Sequence, residues 1–360
     1  MRVGIDIQAA RGKTTGLGVY TAGLFGALKE ILPPDIKLTG YEREDDKSLN
    51  TPARLAWENW GLPLRARKDK LDLLHIPAFA PPVFKFTRFV VTVHDLIGIA
   101  FPNQMNWPSR LYWQRWLPMA VRGADRVIAD SEWTKKDIVK YLGLAPEKVR
   151  VIYASGHEGF SPVRDPELLE ALKQRIGIRE RYFIFVGTIE PRKNLGRVIE
   201  ALRIFLARRR ALRHQLVIVG SKEFARGEAF QKIVDLPGLK SDDVLFTGYL
   251  EFEELKALYT GARSLVFPSL YEGFGIPLLE AMACEIPVLS ARATSLPEVG
   301  GDAAYYVDPL DTEAIARGME ALSEDETLRV DLIGKGKSQI QKFSWRRTAR
   351  ETLEVYGSLF

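Results

Sequence analysis

Two glutamates, Glu272 and Glu280, stand eight positions apart in YEGFGIPLLE, residues 271–280, on either side of Gly273, Phe274 and Gly275. An ionised carboxylate only accepts hydrogen bonds, so a pair at different depths of one site suits the hydroxyls of a sugar and of a ribose better than metal or acid/base work. The glycines let backbone N–H groups approach a ligand closely. The preceding SLVFPS reads as a strand ending in a Pro-Ser turn. From Ile276 onward, IPLLEAMAC reads as a helix with Pro277 tolerated in its first turn. Glu272 then lies before the helix, at its positive end, and Glu280 about one turn in. As a spacing alone the pair is weakly diagnostic.

A second group lies in GTIEPRKN, residues 187–194, where Arg192 and Lys193 are adjacent cations after a strand. A guanidinium fork and a compact ammonium both bind diphosphate; a solvated turn is the plain alternative. His94 and Asp95 end RFVVTVHDL, and His75 ends LDLLHI, at the carboxyl ends of strands where open α/β sheets bind ligands. Either histidine could be a catalyst or a structural hydrogen-bonder. Gly16-Leu17-Gly18 follows the first strand and opens a helix, where exposed N–H groups can hold a phosphate. GKT at 12–14 is no P-loop, because Ile7 stands where the partner glycine belongs, and Thr21 spoils a dinucleotide fingerprint. The arginine-rich ARRRALR, 207–213, reads as the wet face of a helix.

The elements that must position these groups alternate as strand and helix, and the alternation starts twice. RVGIDI, LDLLHI, RFVVTVHDL, DRVIADS and VRVIYAS are strand candidates in the first half. YFIFVGT, HQLVIVGS, VLFTGY, SLVFPS and IPVLSA follow in the second. Short β-branched runs separated by helical segments indicate parallel strands buried on both faces, hence two doubly wound α/β sheets. Leu195, Val198, Leu202, Phe205 and Leu206 recur at helical spacing between the first two strands of the second half. Glycine and two prolines place a linker near 155–166, and Ser344 is a candidate N-cap for a last amphipathic helix. The expected domains are 1–160, 161–343 and a terminal helix, 344–360, crossing back to the first.

The chain has 360 residues, 46% hydrophobic and 27% charged, with net charge +5. That length and composition fit two globular domains, and the small positive surplus points only weakly to an anionic partner. One cysteine, Cys284, excludes an internal disulfide framework and a cysteine-rich zinc site. No signal-peptide core and no membrane-length apolar run is present, so a cytoplasmic location is expected. The segment 106–122 mixes Trp107, Trp113 and Trp116 with Arg110, Arg115 and Arg122. It either rests peripherally on an anionic inner-membrane leaflet or packs its aromatics on the first domain's core.

EGFGIPLLEAMAC, with GTIEPRKN, VLFTGYLEFEELKALY and SLPEVGGDAAYYVDP in order, resembles the family 4 glycosyltransferases, retaining enzymes of the GT-B fold. GIDIQ…GLGVYTAGL, VVTVHDL, ADRVIADSEWTKKDI and FSWRRTARETLEVY extend the likeness more loosely over the first half and the terminus. The form is most similar to bacterial mannosyltransferase-like members acting in polysaccharide or lipopolysaccharide synthesis. The resemblance implies two Rossmann-like domains facing across a cleft, and a hexose, mannose favoured, moved from GDP-mannose to a glycan or lipid-linked saccharide. A UDP-sugar donor and a non-catalytic sugar-nucleotide-binding protein are the alternatives; no nucleic-acid partner is expected.

The implied roles fall on particular residues. Glu280 would bind ribose hydroxyls, and Glu272 with the backbone of Gly273, Phe274, Gly275 and Ile276 the transferred sugar. Arg192 and Lys193 would neutralise the diphosphate, with no metal and no cofactor. His94 would approach the sugar's 6-position and the reacting centre. Gly16 and Gly18 would line the phosphate and acceptor side, and Gly248, Tyr249 and Leu250 would border the base. Three positions depart from the family pattern: Thr188 replaces a frequent arginine, Glu285 a glycine, and the linker lacks NGVD.

Overall fold

Runs such as Phe89–Val93 and Phe183–Phe185, β-branched and aromatic, form strands whose side chains are buried on both faces. The computed structural model describes residues 1–11, 16–43, 51–78, 82, 84–102, 107–220 and 236–360. Residues 12–14, the rejected GKT motif, and residue 106 of the tryptophan-rich segment lie outside the described residues. The chain divides into two units: Met1–Gly156 together with Phe343–Phe360, and His157–Lys342.

Unit 1 carries a six-stranded parallel sheet in the order β2-β1-β3-β4-β5-β6. Its strands are β1 (Arg2–Asp6), β2 (Lys37–Tyr41), β3 (Leu73–Ile76), β4 (Arg88–Val93), β5 (Arg126–Ala129) and β6 (Val149–Val151). Unit 2 carries a second parallel six, ordered β12-β11-β10-β7-β8-β9. Its strands are β7 (Tyr182–Val186), β8 (Gln215–Val219), β9 (Val244–Gly248), β10 (Leu265–Phe267), β11 (Val288–Ala291) and β12 (Ala304–Val307). The strand order reverses between β1 and β3 in unit 1 and between β7 and β10 in unit 2, and such reversals open ligand crevices at the strands' carboxyl ends.

Two strands lie outside the sequence reading, and both are edges. In β2, KLTGY, only Tyr41 is buried, and Gly40 breaks the β-branched signal. In β12, AYYV, both tyrosines are half-buried. An edge strand needs less apolar sequence than a central one, so it leaves a fainter pattern.

Ser344 caps the terminal helix, Trp345–Gly357, accepting from the Arg347 N–H at 3.2 Å. Within unit 1 this helix packs on the helix Gly16–Ile31, with the Trp345 indole over Gly23, where any Cβ would collide with the ring. The helix Leu195–Arg208 stops one turn short of the arginine-rich run's end. Arg208 and Arg209 are ion-paired rather than merely wet: Arg208 meets Glu313 at 2.6 Å and Arg209 meets Glu324 at 2.9 Å. Among the described residues no helix is long and apolar enough to cross a membrane.

Candidate active site

The loops after β7 and β10 meet at the strand-order reversal of unit 2. They bring together Arg192, Lys193 and Glu272, which are 80 and 79 residues apart in sequence. Glu272 Oε2 accepts from Arg192 Nη1 at 2.8 Å, and Lys193 Nζ lies 2.6 Å from Glu272 Oε1. Arg192 Nε also donates to Glu190 Oε2 at 2.7 Å, so the guanidinium is held between two carboxylates. Lys193 Nζ additionally sits 4.7 Å over the Phe267 ring. Asn194, left-handed at φ 64°, donates its amide to the carbonyls of Pro268 and Pro309 and so ties the three loops together.

Burial opposes the charge on both members of this group. It lowers the pKa of Lys193 despite Glu272 beside it. Burial also works against the Glu272 carboxylate, but the Lys193 and Arg192 charges outweigh it and hold that carboxyl below its usual range. The loop backbone is fixed from the other side: the Glu272 N–H donates to Thr294 Oγ1 at 3.1 Å. The Ser295 hydroxyl lies 2.9 and 3.0 Å from the carbonyls of Glu272 and Phe274. Gly275 adopts φ 110° just before the helix Ile276–Ala283, a conformation that favours glycine. Gly273 and Phe274 are buried, and Ile276 is half-buried.

Glu280 sits in that helix, as its sequence position indicated. Tyr259 donates its hydroxyl to Glu280 Oε2 at 2.7 Å. Burial pushes the Glu280 carboxyl up to about 7, against the opposing effects of that hydrogen bond and of Lys193. Near neutral pH it is therefore poised between an acceptor-only carboxylate and a group that can also donate.

Three glycines mark the ends of β7, β8 and β9. A Cβ on Gly220 would collide with the Gly187 carbonyl oxygen, and the Gly220 N–H donates to the Gly248 carbonyl at 3.1 Å. The three strand ends thus approach backbone to backbone, leaving N–H and C=O groups rather than side chains at the rim. Thr188 donates its hydroxyl to Glu190 at 2.8 Å, which links it through Glu190 to Arg192. Tyr249 is 57% exposed, but Leu250 is buried, so only Tyr249 of these two offers its side chain outward.

In unit 1 the sheet's carboxyl end holds His94. Its Nδ1 lies 2.9 Å from Asp130 Oδ2 and its Nε2 2.7 Å from the Pro77 carbonyl. Both partners are acceptors, which favours the doubly protonated ring. Burial opposes that charge, but Asp130 and Pro77 together raise the His94 pKa. Tyr20, in the helix opened by Gly16 and Gly18, meets the His94 ring edge-on at 4.5 Å between centroids. His75 belongs to the structural alternative. It is buried between Tyr356 at 2.7 Å and Thr92 at 2.9 Å, and burial lowers its pKa to about 3. Asp130, Glu190 and Tyr259 were not singled out from sequence; the end of DRVIAD, after a strand, was the available signal for the first.

Comparison with known proteins identifies the family. Residues 31–154 match the model described as Glycosyltransferase Family 4, and residues 170–339 that described as Glycosyl transferases group 1. The chain is 29% identical over 308 residues to O-antigen chain mannosyltransferase B of Escherichia coli, covering 86% of this chain and 78% of that protein. It is 32% identical over 237 residues to the serotype-specific mannosyltransferase WbdA of Escherichia coli. That match covers 66% of this chain but only 29% of WbdA, so the chain spans less than a third of that relative. The crystal structure of Anabaena HepE in complex with UDP and glucose matches with a TM-score of 0.73 at 18% identity, over 99% of this chain and 100% of HepE. WaaG, a glycosyltransferase involved in lipopolysaccharide biosynthesis, matches with a TM-score of 0.70 at 16% identity, over 98% of this chain and 99% of WaaG. With two glycosyltransferase models matched in order along a GT-B architecture, the chain belongs to the family 4 glycosyltransferases.

Proposed function

We propose that this glycosyltransferase moves mannose from GDP-mannose, with retention at the anomeric carbon, to a glycan or lipid-linked saccharide. The observation that carries the reading is the Arg192–Lys193–Glu272 cluster at the strand-order reversal of unit 2. A departing nucleoside diphosphate gains negative charge as the glycosidic bond breaks. A guanidinium and an ammonium already in place stabilise that charge without reorganisation, so we assign neutralisation to them rather than to a metal. Glu272 holds the cations in place, and we assign it and the Gly273–Ile276 backbone to the hydroxyls of the hexose. Glu280 is assigned to the ribose, and the strand-end backbone at Gly248 with Tyr249 to the base. His94, raised in pKa by Asp130, is assigned to the transferred hexose. For retention, a covalent intermediate would require a carboxylate nucleophile. We assign none, and favour front-face attack in which a donor phosphate oxygen takes the acceptor hydroxyl's proton.

Mannose is favoured by the names of the relatives, O-antigen mannosyltransferases. HepE, solved with UDP and glucose, supports a UDP-sugar donor as the second reading. A thermal-shift series with GDP, UDP, ADP and NAD at matched concentrations separates the two. Binding at a hundredfold excess over Kd raises stability by about 2.7 kcal/mol. A shift with GDP alone supports the proposal; a shift with UDP alone replaces the donor.

A further inference from the structure

Two π-helical turns, Trp57–Gly61 and Tyr112–Trp116, contribute walls to one cavity of about 1050 Å³ in unit 1. Such turns give up regular α-helical hydrogen bonding, are rare, and gather at functional sites. Trp60, Leu111, Tyr112, Trp116, Met119 and Tyr141 supply aromatic and aliphatic lining. Trp60 is 68% exposed and Leu111 54% exposed, so the apolar surface reaches the mouth. It continues outward along both walls: Leu64 follows Trp60 by four residues and Trp107 precedes Leu111 by four, each also exposed.

The charge at this cavity has one sign. Among the described residues, Arg115 and Arg122 line it, and no carboxylate does. Glu58, within the first π-turn, is buried and paired with Arg54 at 3.3 Å. The Arg122 guanidinium is committed to the Leu142 carbonyl at 2.8 Å, while Arg115 and Arg110 are exposed. Asn59 and Gln114 add neutral polar groups to a lining that is mostly aromatic and aliphatic, and aromatic rings beside arginines suit the boundary between headgroup and acyl chain. We propose that this cavity takes the hydrocarbon chain of an anionic phospholipid and so seats unit 1 on an anionic bilayer surface. The proposal does not depend on the donor or on transfer.

The full chain is mixed with vesicles of phosphatidylcholine alone, or of equal parts phosphatidylcholine and phosphatidylglycerol carrying brominated acyl chains. Co-sedimentation and quenching of tryptophan fluorescence are read together. Wild type is expected to sediment with the anionic vesicles only, with quenching by the bromines. Met119→Glu and Arg115→Glu, both at exposed positions, are each expected to lower vesicle partition by about tenfold or more. Retained melting temperature and retained nucleotide-induced shift establish that these variants fold. Wild type that ignores anionic vesicles, binding without quenching, or a folded Met119→Glu variant that partitions like wild type each overturns the proposal. So does saturable binding of a soluble oligosaccharide that Met119→Glu abolishes while vesicles are ignored.

Discussion

Glu272 faces Lys193 and Arg192 in a site from which water is nearly excluded, and each of the three charges depends on the others. Removing one member of a buried pair leaves an uncompensated charge, whereas removing both can be close to neutral. Lys193→Met should destabilise unit 2 by about 3 kcal/mol in urea unfolding. The double variant Lys193→Met/Glu272→Gln should recover much of that loss. Additive losses would show that the two groups do not interact. Glu280 gives a pH dependence whose sign follows from its raised pKa. If the ribose needs the acceptor-only form, GDP-mannose binding strengthens as pH rises through about 7. Affinity by calorimetry should then tighten about tenfold between pH 6 and 8. Tyr259→Phe removes the hydrogen bond that opposes burial and should move the midpoint upward; an unmoved midpoint assigns the titration elsewhere.

Among the elements, the turn after the helix Ile276–Ala283 shows where this sequence departs from its family without departing in shape. Glu285, at the family's glycine position, adopts φ 59°, and its carboxylate meets Lys337 at 2.8 Å. The left-handed turn is kept by a residue that pays steric strain for it, and the surface ion pair offsets little. Glu285→Gly should stabilise the protein by about 1 kcal/mol, read as a rise in melting temperature; a fall would show that the ion pair outweighs the strain. The central strands and the helix bearing Glu280 were legible because apolar runs and the Pro277 start signal are local properties of the chain. Edge strands β2 and β12 were not, since half-burial asks little of composition. The pairing of Arg192 with Glu272 was not legible either, because it depends on which strands become neighbours. The resemblance implied the roles, but not that His94 has acceptors at both ring nitrogens.

For the whole molecule, acids raised by burial lie outside the candidate site as well as in it. In unit 1, Asp6 and Glu58 are buried acids without adequate compensation. Burial pushes Glu58 up to about 8, with Arg54 opposing and the Asp6 charge adding to the rise. Burial likewise pushes Asp6 up to about 6, against donors from Gln8 and Trp57. The folded state therefore holds these protons more tightly than the unfolded chain does, and stability is lost as pH rises from the unfolded carboxyl range through about 8. Glu58→Gln should flatten that decline and stabilise the protein at pH 8 by roughly 1–3 kcal/mol; an unchanged slope in thermal unfolding from pH 5 to 8 would place the loss in other groups. The central claim is the transfer of mannose from GDP-mannose with retention. It is tested most directly by offering GDP-mannose and UDP-glucose, each labelled in its sugar, at equal concentration with a mannose-terminated lipid-linked acceptor. The linkage formed is then determined by NMR. The account predicts label from GDP-mannose alone, in an α-mannoside; label from UDP-glucose, or a β-mannoside, would contradict it.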